Sequence, residues 1–364
     1  METELLANYS RLYLKGNPFP YVSVPDEEPS HYFDQEAALK CLLRVMASTY
    51  TTGSSNHAVL VGTYGSGKSH TLKHLAEHVK NELNRSNRKA IAFYVSHPGL
   101  GIIDVYRSIV AQLGPTAFAK LSSFVDERSH YQFELYRPIR VISQKSNEML
   151  NAWRWLTGER LEISQRNKLG VGRNIDDKWA IDAFKQIMML LRRAGYCLVA
   201  VLIDELETVN ELDILRRQRL FNTFRHLFDD NPNNLSVVFA CTPAGWDEIL
   251  ANAFALARRI SRNVVYLEAL DEKKIQTVIE GYVKKSRIRN DDLKNVLKDL
   301  GEQSSASIYP FTFAALPELL RLSQGNIGEL IKYCNLAIER AAMETECKAI
   351  DGKVLNELLP EFQR

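Results

Sequence analysis

Eight consecutive residues have the spacing of a phosphate-binding loop: Gly62-Thr63-Tyr64-Gly65-Ser66-Gly67-Lys68-Ser69 fits G-x-x-x-x-G-K-[ST]. The glycines allow backbone N–H groups to turn inward around a polyphosphate. Lys68 can reach the outer phosphate oxygens, and the Ser69 hydroxyl can ligate Mg2+. With His70 continuing into the next element, residues 62–70 are the expected nucleotide-contacting stretch. A second stretch, Asp204-Glu205, ends a run of aliphatic residues. A carboxylate at that place can hold Mg2+ together with Ser69, and the one after it can orient and deprotonate a water. Glu207, two residues beyond Glu205, reads as surface charge.

Phosphoryl transfer needs more positive charge than Lys68 supplies, because charge spreads over the terminal phosphate oxygens. Arg258, Arg259 and Arg262 form a cluster that could supply it, and Arg262 is the preferred group, reaching the nucleotide of a neighbouring copy. The competing reading is ordinary arginines at a helix end. Thr242 precedes Pro243. It can hydrogen-bond the terminal phosphate or the water, or simply start a turn.

These residues need a scaffold, and the pattern around them predicts one. His57-Ala-Val-Leu-Val61 reads as a buried strand before the loop, and Ser69 to Arg85 as a helix with Leu72, Leu75, Ala76 and Val79 on one face. Further strands are expected at 89–95, 196–203, 235–241 and 264–267, alternating with helices at 101–113, 177–194, 213–229 and 246–257. Strands separated by helices imply crossover connections and a mainly parallel sheet. The fold class that follows is an α/β three-layer domain, 36–270, with a C-terminal helical domain, 271–364. Helices are expected there at 271–285, 291–300, 312–323, 327–345 and 352–359. Residues 115–176, with ten Lys/Arg against seven Asp/Glu, interrupt the alternation and read as an insertion, helical at 141–157. Residues 1–35 contain too many prolines for regular structure and read as a linker. Within it Phe19 or Tyr21 either meets a nucleotide base or tethers the chain to the surface. Asp34 is the expected cap of a helix carrying Leu39, Leu42 and Met46.

The 364 residues contain 46 basic and 44 acidic side chains, so no global basic field points to nucleic acid. Five cysteines lie apart without C-x-x-C spacing, which argues against a zinc site or a disulfide framework. No apolar run approaches membrane-spanning length and no apolar leader is present. A cytoplasmic protein with no membrane contact is expected.

The chain resembles the AAA+ ATPases over about 17–359, in particular the initiator-like clade of origin-recognition proteins and transposition regulators. The resemblance makes Gly62–Ser69 the Walker A loop and Asp204-Glu205 the Walker B pair. It places Thr242 at sensor 1, Arg262 at the arginine finger and 271–359 as a helical lid. It implies ATP and Mg2+ as ligands, a homo-oligomer and hydrolysis between subunits. The pattern is departed from in two places: Thr242 stands where asparagine is frequent, and in Gly325-Asn-Ile-Gly-Glu-Leu330 the residues Ile327 and Gly328 stand where an arginine is usual. A narrower resemblance joins Trp155-Leu-Thr-Gly-Glu159, Leu169-Gly-Val171 and Asp204-Glu-Leu-Glu207 to the ATP-binding proteins of BREX-type phage defence. An oligomeric, DNA-associated ATPase is therefore expected, serving phage defence or the control of DNA transactions, with 115–176 as its adapted surface. The alternative is an ATP-dependent switch that docks a partner protein of a multi-component system and hydrolyses slowly. A small-molecule kinase is a third, weaker option.

Overall fold

The computed structural model describes residues 7–21, 35–83, 88–125, 134–288, 292–344 and 347–358. The expected cap Asp34 and the helix ends at Arg85, Asp291, Thr345 and Leu359 lie outside them. The chain divides into two compact units. One comprises 37–63 and 71–266 and contains the sheet; the other comprises 1–36, 64–70 and 267–364 and is helical.

In the sheet unit, the aliphatic runs form β1 (Asn56–Val61), β2 (Lys89–Val95), β3 (Tyr196–Ile203), β4 (Leu235–Cys241) and β5 (Val264–Tyr266). They pair in parallel in the order β2-β3-β4-β1-β5. All of β4 is buried, as are Ala58 to Val61 in β1, so both faces of the central strands are covered and neither strand needs a polar alternation. One face packs Val59, Phe93, Val199 and Phe239 into a core shared with α3 (Ile102–Leu121), α7 (Asp177–Arg193), α8 (Ile214–Asp230) and α10 (Phe254–Ile260). The other buries Ala58, Leu60, Leu198 and Val238. Two further helices, α1 (Glu36–Thr52) and α2 (Lys68–Glu82), bury Leu42, Met46, Leu72, Leu75 and Val79.

Residues 115–176 are largely helical. The helix expected over 101–113 continues to Leu121 after a break at Gly114, whose φ of 70° interrupts it ahead of Pro115. Then come α4 (Tyr136–Ser143), α5 (Met149–Leu156) and α6 (Ile163–Leu169), so the single helix expected at 141–157 is two, divided by the turn around Lys145 (φ 50°). Ile139, Ile142, Leu156 and Leu169 join the same core as the sheet. Trp155 is fully buried, donates its indole N–H to the Arg173 carbonyl (2.8 Å) and packs on Trp179. Trp153 packs edge-on against Phe118.

Two local expectations are corrected. Thr242 opens α9 (Pro243–Asn252) instead of a turn, since Pro243 suits the first helical position and the Thr242 hydroxyl caps it. The helix expected at 246–257 is consequently two, α9 and α10, divided at Ala253.

In the helical unit, α11 (Glu272–Ser286), α12 (Asp292–Leu300), α13 (Ala315–Ser323), α14 (Ile327–Met343) and α15 (Gly352–Leu358) follow one another. Its core takes in Leu12, Leu14 and Phe19 from the start of the chain. A single 3-10 turn at Tyr9–Leu12 and a bridge from Leu14 to Arg287 hold that segment. Phe19, 2 % exposed, lies on the Tyr282 ring at 4.9 Å and edge-on to Phe311, so it is a core residue and not a platform for a base. Tyr21 is 90 % exposed.

Candidate nucleotide site

In the sheet unit, β1, β3 and β4 run parallel, so their C-terminal ends lie along one edge, the place where open α/β sheets bind ligands. β1 is followed by Gly62, whose N–H donates to the Cys241 carbonyl at the end of β4 (3.1 Å). β3 is followed by Asp204, whose N–H donates to the Val95 carbonyl (2.8 Å). Its side chain is 1 % exposed. Both carboxylate oxygens are bonded: Oδ2 accepts from the Tyr94 hydroxyl and Oδ1 from the Glu205 N–H, each at 2.9 Å. Tyr94 is itself held at both backbone groups by Gln112, which accepts from its N–H (3.2 Å) and donates to its carbonyl (2.8 Å). The Lys73 ammonium lies 5.7 Å from its ring centroid. Asp204 is thus a carboxylate of fixed orientation.

Glu205 sits at φ 50°, ψ 43°, the left-handed region that a residue with a Cβ enters at a cost of about 1–3 kcal/mol. The conformation turns the chain sharply out of the strand and leaves Glu205 exposed directly beside the buried Asp204. The Thr208 hydroxyl donates to the Glu205 carbonyl (2.8 Å), supporting the turn.

Glu207 is not the surface charge that the sequence suggests. Its Oε2 accepts from the Thr242 N–H (3.2 Å), and its Oε1 is buried without a hydrogen-bond partner among the described residues. Thr242, 8 % exposed, accepts from the Gly245 N–H at Oγ1 (3.1 Å) and so caps α9, while its own O–H can still donate.

The three arginines separate in their surroundings. Arg259 makes a two-pronged pair with Asp229, Nε and Nη2 each at 2.9 Å, and donates from Nη1 to the Ala255 carbonyl. A forked pair of that kind holds the guanidinium in place, which sets Arg259 apart from the other two. Arg258 and Arg262 are exposed and form no ion pair with a described residue; Arg262 lies in the short turn Ser261–Asn263 before β5.

The loop residues 64–70 belong to the helical unit. Gly65 and Gly67 have φ of 73° and 93°, which residues with side chains avoid and which lets a loop curl its backbone around an anion. Lys68 and Ser69 begin α2, so the positive end of its dipole lies at the end of the loop. Ser66 and Lys68 are buried, at 8 % and 7 % exposure, with the Lys68 ammonium 5.4 Å from the Tyr64 ring. The residues present therefore fit a triphosphate. The Ser69 hydroxyl in one unit and the Asp204 carboxylate in the other are each oxygen donors of the type that Mg2+ prefers when phosphates supply the rest.

The basic side chains of 115–176 are mostly engaged at home. Arg154 pairs with Glu159 (2.7 Å), Arg173 with Glu134 (3.0 Å) and Lys168 with Glu148 (3.8 Å). Arg137 and Arg166 donate to the carbonyls of Gly170 and Gly172. No helix of the described residues is long and apolar enough to cross a membrane.

The family model for the BREX system ATP-binding protein BrxC/D matches residues 140–348, more than half of the chain. The chain belongs to this BrxC/D family. The matched region holds Asp204, Glu205, Thr242, the arginines and the start of α14, while the loop 62–69 lies before it. Among curated proteins nothing matches. Solved structures do. The ORC2 protein of Aeropyrum pernix in its ADPNP-ADP complexes is 12% identical with a TM-score of 0.54, over 94% of this chain and 71% of that one. Its ADP form is 13% identical, TM-score 0.50, over 98% and 73%. The ORC1 protein of the same organism in complex with DNA is 12% identical, TM-score 0.51, over 94% and 68%. At such identity the likeness concerns the fold, which is that of the AAA+ P-loop ATPases. This BrxC/D family member is thus an ATP-binding protein of AAA+ fold.

Proposed function

We propose that this BrxC/D family member hydrolyses ATP with Mg2+, as an oligomer acting in DNA-associated processes such as phage defence. The observation that carries the hydrolytic part is the contrast within Asp204-Glu205: one carboxylate buried and bonded at both oxygens, the next exposed on a left-handed residue. A fixed carboxylate suits a metal and an exposed neighbour suits a water. On this reading Gly62, Thr63, Tyr64, Gly65, Ser66, Gly67, Lys68, Ser69 and His70 bind the nucleotide, with Lys68 and Thr242 at the terminal phosphate. Ser69 and Asp204 hold Mg2+, Glu205 orients the water and removes its proton, and Arg262 or Arg258 serves a neighbouring copy. Bound Mg2+ would neutralise the charge that grows on the phosphate oxygens. Residues 36–270 form the nucleotide domain, 271–364 the lid, and 115–176 the surface that meets DNA or a partner protein. Exposed pairs such as Arg173–Glu134 are worth at most about 1 kcal/mol and would yield to phosphate.

The test is Glu205→Gln beside Lys68→Ala. The first should lower kcat by about 10²- to 10⁴-fold with ATP binding kept, and the second should lose binding. Hydrolysis by Glu205→Gln at the wild-type rate refutes the assignment.

The second reading, a nucleotide-dependent switch that docks a partner protein, is favoured by one observation. Ile327 and Gly328 stand where a lid arginine is usual, and neither has a cation to offer a phosphate. Slow hydrolysis combined with ATP-dependent capture of a partner, insensitive to salt, would support this reading over DNA binding.

A further inference from the structure

Helix α14 begins against the loop on which nucleotide binding depends, and both lie in the helical unit. Asn326 is its N-cap: Oδ1 accepts from the N–H groups of Gly328 (2.9 Å) and Glu329 (3.2 Å). The other end of the same amide is not idle, for Nδ2 donates to the Tyr64 carbonyl. The Gly328 N–H also donates to the next carbonyl of the loop, that of Gly65 (2.9 Å). Two successive loop carbonyls are therefore held by the start of one helix.

In a trans peptide the C=O and the following N–H point in opposite directions. Holding the Tyr64 and Gly65 carbonyls toward α14 turns the N–H groups of Gly65 and Ser66 to the other side of the loop. Inward N–H groups of this kind are what such a loop presents to phosphate oxygens. The approach leaves no space for side chains. A Cβ on Gly328 would stand 3.1 Å from the Gly65 carbonyl oxygen and 3.2 Å from its Cα, and a Cβ on Gly65 would meet Asn326 Oδ1 at 2.6 Å. Where a long cation would reach past the loop, the backbone of this chain grips the loop itself.

We propose that Asn326 is a positioning residue for the triphosphate, fixing the Tyr64–Gly65 peptide plane of the phosphate loop through the Tyr64 carbonyl while capping α14, whose Gly328 N–H fixes the next plane. The proposal rests on reading 62–69 as the nucleotide loop. Two variants separate the roles of the amide. Asn326→Ser and Asn326→Asp both keep an oxygen that caps the helix, since Ser and Asp are caps as good as Asn. Neither can donate to Tyr64: serine is neutral and too short, and aspartate presents an acceptor. ATP binding by the full chain should weaken about tenfold in the serine variant, the loss of one well-aligned hydrogen bond, and further in the aspartate variant. The unfolding temperature without nucleotide should stay within about 2 °C of wild type in both, because the cap remains.

Wild-type ATP binding by Asn326→Ser overturns the proposal, even if Asn326→Asp is weak, for then charge alone is at work. Loss of binding that follows a loss of Tm in both variants overturns it too, by assigning the effect to the helix start. Lys68→Ala serves as the control. If that variant binds ATP as wild type does, the loop reading itself has failed; if it does not bind while Asn326→Ser does, only the role of Asn326 has.

Discussion

Asp204 shows how far single residues could be read. Its type, and its place after an aliphatic run, were visible in the sequence. Tyr94 and Gln112, which orient it, were not, because they meet it only through the pairing of β2 with β3 and the packing of α3 on the edge strand. Glu207 reads as surface charge for the same reason: its partner, the Thr242 N–H, is distant in sequence. The one signal that could have raised it is a third acidic residue so close to a buried strand end. Asn326 could be placed in a helix-starting Gly-Asn pair, yet nothing in the spacing showed its second hydrogen bond. Tyr94 yields a prediction. A hydrogen bond to a charged group is worth about 1.5–3 kcal/mol, part of which water can replace. Tyr94→Phe should raise the Mg2+ concentration for half-maximal hydrolysis by about 3- to 10-fold, with the KM for ATP at saturating Mg2+ nearly unchanged. A titration of rate against Mg2+ at fixed ATP checks it, and an unchanged midpoint denies Tyr94 this role.

The regular elements were more legible than the residues that serve them. β2, β3 and β4 coincide with the aliphatic runs, since a buried parallel strand has little but Val, Ile, Leu and Ala to show. The division of α9 from α10 was hidden, as Ala253 is a good helix former and only its surroundings break the helix. β1 carries a titratable group whose environment the sequence also hid. His57 stacks on Phe228 at 3.9 Å and accepts from the Val237 N–H at Nδ1 (3.2 Å), and burial pushes its pKa down to about 4. The unfolded chain, with the imidazole near 6.5, takes up this proton first. His57 therefore supports folding fully above about pH 6.5, and that support drains away as pH falls toward about 4, by on the order of 3 kcal/mol. Urea midpoints measured between pH 7 and 5 should fall for wild type, and the slope should flatten in His57→Gln. Equal slopes would mean that other groups govern this window.

At the scale of the whole molecule, the alternation of strands and helices gave the fold class, and the helical run after 271 matched what was found. The role of 115–176 was harder to see. Its polar composition reads as an insertion, and Trp155, Ile139 and Leu169 tie it into the core of the sheet unit. Assembly is tested most directly by complementation. If Arg262 acts on a neighbouring nucleotide, Arg262→Ala and Glu205→Gln should each be nearly inactive, the arginine being worth about 10³-fold or more. Mixed in equal amounts they should regain hydrolysis, because one interface joins the intact arginine of one copy to the intact glutamate of the other. A mixture no better than its components would place Arg262 outside the reaction or within its own subunit.

The left-handed backbone at Glu205 also bears on how this protein would respond to selection. Gly or Asn at 205 would relax the turn, so a screen for heat resistance alone should enrich those replacements. The survivors would outlast the parent on heating and have lost the carboxylate to which the proposed hydrolysis assigns the water. Tolerance to heat and turnover are set against each other at one codon, and a search for sturdier variants should hold that codon fixed.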